Sequence, residues 1–185
     1  MTGQTPWLRA RASLWFLIAA VTAVGVWATR FGTRWPSIYY MTGSSMEPTV
    51  APNEYYLTWS PPGRLAPGDL VLFRFDDGEE VFHVLRRVAA LPADTVSMES
   101  GRVVLNGVTQ ETPFRIVEPL ASYSPLAIEG DLYDWGPWIT PPDSVVLLAD
   151  TRDMLGWPDS RFIGFVAVAD IIARATRTVT GRRLR

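Results

Sequence analysis

The sequence contains no cysteine, no lysine and a single histidine, His83. Without cysteine there is no thiol nucleophile, no disulfide and no cysteine-bound metal. One histidine leaves a zinc site short of its usual donors, and no metal or other cofactor is expected. Without lysine, no side-chain ammonium is available to lose a proton and act as a base. All 17 basic residues are arginines, spread along the chain, with one local run in Gly181-Arg182-Arg183-Leu184-Arg185. The net charge of −2 gives no sign of a nucleic-acid partner.

What the chain does have is one long uncharged stretch. Arg9 and Arg11 precede it, it runs from Ala12 to Thr29, and Arg30 ends it. At about 1.5 Å per residue its length is roughly 27 Å, close to the hydrocarbon thickness of a bilayer. Trp15 and Trp27 stand near its ends, where interfacial aromatics belong. A cleavable signal peptide also begins with basic residues, but its apolar part is shorter and ends in a small-x-small site, which is not evident here. The 185 residues therefore divide into a tail (1–11), a single membrane anchor (12–30), one folded domain (36–177) and a basic tail (178–185). A bilayer is thus an expected partner, while Arg9 and Arg11 before the stretch are matched by Arg30 and Arg34 after it, so charge alone does not set its orientation.

The domain reads as mostly β. Tyr55 to Trp59 is a β-prone run closed by Ser60-Pro61-Pro62-Gly63. Leu70 to Phe75 and Glu80 to Val88 flank an Asp-Gly step and predict a hairpin. The four acidic residues at its tip, Asp76, Asp77, Glu79 and Glu80, fit a solvated turn better than a metal site, since neighbouring carboxylates repel. Val96 to Met98, Val103 to Leu105 and Val145 to Leu148 predict further strands, with an irregular excursion over 107–140. A last strand is expected over Ile163 to Val168, and a helical turn or two over Ala169 to Thr176.

Between the anchor and the first β run lies Gly43-Ser44-Ser45-Met46-Glu47-Pro48-Thr49-Val50, two hydroxyls in a turn between glycine and proline. Further on come Pro67-Gly68-Asp69-Leu70-Val71-Leu72-Phe73, Arg86-Arg87-Val88-Ala89-Ala90-Leu91-Pro92-Ala93-Asp94, and Val104-Leu105-Asn106-Gly107. Trp135-Gly136-Pro137, Pro141-Pro142, Ala149-Asp150-Thr151-Arg152-Asp153 and Asp159-Ser160-Arg161 follow. Each alone is ordinary turn chemistry; in this order they resemble the boxes of the type I signal peptidases, over roughly residues 12 to 175. The resemblance implies a membrane-anchored serine endopeptidase with an all-β domain outside the cytoplasm, at the cell membrane. It implies cleavage of signal peptides from exported proteins after small residues, and Ser45 as nucleophile. Gly43, Ser44, Met46 and Pro48 then form the substrate and oxyanion neighbourhood. Asp150, Arg152, Asp159, Ser160 and Arg161 form a structural box.

The departures from that pattern bear on activity. Arg86 occupies the position of the family's lysine, whose buried ammonium loses its proton near neutral pH. Arginine stays protonated in proteins; neutralising it at pH 7 requires about 5–6 units, roughly 7–8 kcal/mol, so Arg86 is not expected to be a general base. Gly43 stands where some members place an oxyanion-hole serine, and Ala149 and Thr151 replace a glycine and an asparagine. His83 titrates in the right range for a base. It lies three residues before Arg86, however, and on a regular strand that spacing points it to the other face unless a β-bulge intervenes. Two readings follow: a signal peptidase with an atypical or missing base, or a catalytically inactive relative that binds peptides or partners at the membrane.

Overall fold

The computed structural model describes residues 6–31, 34–110, 132–151 and 158–184, and within the first helix the side chains of 15–29. It comprises two units, Met1–Arg34 and Trp35–Arg185.

The first unit is a helix, α1 (Pro6–Phe31). Proline suits its first position, where the missing N–H has no intrahelical acceptor to meet. Trp15, Phe16, Leu17, Val21, Val24 and Val26 are all more than half exposed. The hydroxyls of Thr22 and Thr29 donate back to helix carbonyls, Thr22 to Ile18 and Ala19 at 2.9 Å and Thr29 to Val26 at 3.0 Å. Among the described residues no helix is long and apolar enough to cross a membrane.

The second unit is mostly β. Its strands are β1 (Trp35–Tyr40), β2 (Tyr55–Ser60), β3 (Leu70–Asp76), β4 (Val81–Ala90), β5 (Thr95–Glu99) and β6 (Arg102–Leu105). They continue with β7 (Val108–Thr109), β8 (Trp135–Ile139), β9 (Ser144–Leu148), β10 (Val166–Ala167) and β11 (Ile171–Thr178). One helical turn, α2 (Ser160–Ile163), lies between β9 and β10. A seven-stranded sheet runs β1-β2-β11-β3-β4-β9-β10 and a four-stranded one β7-β6-β5-β8. Every pairing is antiparallel.

The predicted hairpin is β3–β4, in register from Leu70↔Arg87 to Asp76↔Val81. Its acidic tip uses its carboxylates on its own backbone: Gly78 N–H donates to Asp76, and Glu79 and Glu80 N–H donate to Asp77. The bond from Glu80, then that from Glu79, holds the Asp77 carboxyl below its ordinary range. Gly136 in β8 has positive φ, and a Cβ there would meet the Ser97 Cα of β5 at 2.9 Å, so only glycine lets these strands close up.

Two local expectations are corrected. Residues 171–178 form a strand, not a helix: Ile171, Ala173 and Ala175 are buried in alternation, which suits a central position between β2 and β3. The strand expected over 163–168 shrinks to Val166–Ala167, preceded by α2 and followed by a 3-10 turn, Val168–Asp170. The sequence reading also passed over β1, whose residues are mostly exposed and show no apolar alternation. Of the 107–140 excursion, the ends form β7 and β8, while 111–131 lies outside the described residues.

Three apolar clusters fill the unit. One joins Met46 and Val50 to Tyr56, Leu70, Leu72, Leu85, Ala173, Ala175 and Leu184. The others lie between β5, β6, β8 and β9, and beneath β3, β4 and β9.

Candidate active site

The turn 43–50 is held at its apolar end. Met46 and Val50 are fully buried in the first cluster, and the Val50 N–H donates to the Met46 carbonyl at 2.8 Å. Gly43 and Pro48 are exposed, Ser44 is half-buried, and Ser45 retains 7% exposure. The Ser45 carbonyl accepts from both the Thr151 N–H at 3.0 Å and the Thr151 hydroxyl at 3.1 Å. Ser45 is thus pinned from below by the end of β9. Its own N–H has no partner among the described residues.

The Ser45 hydroxyl has one hydrogen-bond partner among the described residues. Nη1 of Arg86, on β4, donates to its Oγ at 3.1 Å. The guanidinium curls over its own strand, donating from Nη1 to the Leu85 carbonyl at 2.6 Å and from Nε to the Pro158 carbonyl at 2.9 Å. Arg86 is 2% exposed. Burial, which penalises its charge, pushes the group down from its ordinary value to about 10; Asp159 and Asp150 oppose this and Arg161 adds to it. Burial likewise holds the nearby Tyr56 phenol well above its ordinary range.

His83 lies elsewhere. Its strand pairs with β3 without a register shift between His83 and Arg86, so no bulge on that side brings the two to one face. His83 is exposed and sits edge-on to the Tyr39 ring at 6.0 Å.

Beside Arg86, Arg87 is fully buried and makes a two-pronged pair with Asp150, Nε to Oδ1 and Nη2 to Oδ2, both 2.7 Å. The same Nη2 donates to the Thr49 hydroxyl at 2.9 Å, and Thr49 in turn donates to Asp150. Nη1 reaches the Gly68 carbonyl at 2.8 Å. A buried fork of this kind fixes three segments at once: the serine turn, the approach to β3 and the end of β9. Neighbouring it, Asp159 caps α2. Its carboxylate accepts from the Arg161 backbone at 2.9 Å, from the Arg161 guanidinium and from the Ala149 N–H at 3.0 Å. The Ser160 hydroxyl accepts from Leu147 N–H at 2.8 Å. Asp150, Asp159, Ser160 and Arg161 therefore gather around the end of β9; Arg152 lies outside the described residues.

Sequence reading singled out neither Arg87 nor Thr49 nor Thr151 as a site residue. Two adjacent arginines in a β-prone run were a signal, because alternation must turn one of them inward on either face. Nothing in the sequence marks the Thr151 contact.

Residues 9–180 match the family described as signal peptidase, peptidase S26. Signal peptidase I of Leptolyngbya laminosa is 31% identical over 150 residues, covering 74% of this chain and 64% of that protein. Probable signal peptidase I-2 of Synechocystis is 29% identical over 143 residues, covering 74% and 59%. Signal peptidase I P of Bacillus subtilis subsp. natto is 27% identical over 124 residues, covering 62% and 61%. The chain thus spans somewhat less than two thirds of the length of these relatives. Among solved structures, a signal peptidase I from Enterococcus faecalis V583 aligns with a TM-score of 0.42 and 21% identity, over 60% of this chain and 95% of that one. Matched along nearly its whole length, the chain belongs to the signal peptidase family, peptidase S26.

Proposed function

We propose that the chain is a membrane-anchored serine endopeptidase that removes signal peptides from exported proteins after small residues, with Ser45 as nucleophile and Arg86 as the group that takes its proton. The observation that carries this reading is the 3.1 Å contact between Arg86 Nη1 and Ser45 Oγ. That is the reach a base needs. Arginine's ordinary pKa makes the role prohibitive; burial narrows the gap. With a pKa of about 10, three units above pH 7, neutral Arg86 costs about 4 kcal/mol rather than the 7–8 expected from sequence.

In this scheme neutral Arg86 accepts the Ser45 proton as Oγ bonds to the scissile carbonyl carbon. The oxyanion is met by the otherwise unpartnered Ser45 N–H. The protonated guanidinium then returns a proton to the departing amine, and a water hydrolyses the acyl-serine by the reverse sequence. Cationic Arg86, the majority form at neutral pH, keeps the hydroxyl oriented but cannot accept. His83, exposed against Tyr39, takes no part.

The anchor is read from the sequence, from the uncharged stretch 12–29 and the tryptophans near its ends. It puts the β unit on the outer face of the cell membrane, with a bilayer and leader peptides as partners.

The purified full chain in detergent should cleave a signal-peptide substrate at alkaline pH, and Ser45→Ala should abolish this. Turnover unchanged in that variant removes Ser45 from the mechanism. No hydrolysis at any pH by the unmutated chain leaves a peptide-binding homologue instead.

A further inference from the structure

The arginine-rich C-terminal run is not a loose tail. After β11 the chain turns back on itself: Thr178 N–H donates to the Arg182 carbonyl at 2.8 Å and Leu184 N–H to the Thr176 carbonyl at 3.0 Å. Leu184 is buried in the cluster that also holds Met46. Arg182 is engaged, with Glu54 at 2.6 Å and the Thr49 carbonyl at 2.6 Å. Arg183 is not. The turn sets it directly opposite Arg177 in an antiparallel bridge. Both are exposed, and neither guanidinium has a hydrogen-bond or ion-pair partner among the described residues.

Like charges placed directly across a pair of strands destabilise it. Here they line a cavity of about 580 Å³, together with Arg174, Asp69, Gly68 and Leu70. Arg174 is held at its side by Asp69, at 3.3 Å. Three guanidiniums against one carboxylate give the lining a net +2, in a chain whose net charge is −2.

We propose that this cavity is a binding site for a phosphate-type oxyanion, either a phospholipid headgroup or free phosphate, gripped by Arg177 and Arg183. Guanidinium forks match the spacing of phosphate oxygens, and an anion between two facing arginines removes the repulsion the fold builds in. The oxygens spread about a phosphorus, in a headgroup or in free phosphate, can accept from both guanidiniums at once. The site also adjoins the serine turn. The Gly68 carbonyl on its wall accepts from Arg87, which binds Thr49 and Asp150. The proposal does not depend on the chain being a working peptidase.

The test uses the full chain in neutral detergent micelles, with melting followed by tryptophan fluorescence. One arm titrates inorganic phosphate against chloride at constant ionic strength. The other dopes the micelles with phosphatidylglycerol, with phosphatidylcholine as control. A ligand bound only by the folded state raises Tm with concentration. A rise with phosphate alone identifies free phosphate; a rise with phosphatidylglycerol alone identifies the headgroup. In either case R177Q/R183Q should remove at least nine tenths of the shift, R177K/R183K should retain part of it, and R102Q should behave as wild type. Arg183→Glu should raise Tm in phosphate-free buffer, by relieving the facing charges, while abolishing the response. The proposal is overturned if neither anion moves the wild-type Tm, or if R177Q/R183Q responds as wild type does.

Discussion

If Arg86 takes the proton of Ser45, the activity of this chain must follow the neutral fraction of a guanidinium. With a pKa of about 10, that fraction is about one in a thousand at pH 7 and about one in ten at pH 9. The kcat/KM for a signal-peptide substrate should therefore climb about tenfold per pH unit from 7 to 9 and level off near pH 10. Lysine at the same position starts lower. Burial takes arginine down to about 10, and the same burial would also push a lysine ammonium down from its lower starting value. Arg86→Lys should then have a larger neutral fraction at pH 7 and gain activity there by about tenfold or more, with its plateau at a lower pH than that of wild type. The assay is initial-rate cleavage of a fluorogenic leader peptide from pH 6 to 10.5, with Ser45→Ala as the blank. A flat profile between pH 7 and 9, or Arg86→Ala turning over like wild type, refutes the reasoning.

Three further outcomes follow from the same geometry. Removing Arg87 as Arg87→Met strands the fully buried Asp150 carboxylate and should cost about 3–5 kcal/mol, read from urea midpoints. Gly43→Ser should be tolerated, because a Cβ there meets nothing within 4 Å and the residue has no positive φ; its hydroxyl adds a donor beside Ser45 and should raise kcat by about tenfold or more with the unfolding midpoint unchanged. Tyr56→Phe should alter alkaline stability. Burial raises the Tyr56 phenol in the folded state, so the folded chain keeps a proton that the unfolded chain loses above about pH 10, and stability falls as pH rises there. The phenylalanine variant lacks that loss, which a comparison of midpoints at pH 8.5 and 10.5 would reveal.

How far the sequence could be read depends on whether a feature is written in local periodicity or in long-range pairing. The β3–β4 hairpin was legible because two β-prone runs flank an Asp-Gly step, and its register follows from that turn. β11 was missed because Ala173, Ala175 and two arginines have no strand preference of their own; the strand exists because β2 and β3 flank it. The same division runs through the site. Ser45 stands out in a turn between glycine and proline, but Thr151 reaches its carbonyl across 106 positions and Arg87 joins Thr49 to Asp150 across 38 and 63. Such contacts leave no trace in spacing. The base question shows the limit most sharply. From residue type alone Arg86 is a permanent cation, whereas its burial on β4 lowers the pKa of its guanidinium. Side-chain identity sets the starting pKa, whereas the fold decides how far it moves, so the chemistry of this serine has to be read from burial as much as from sequence.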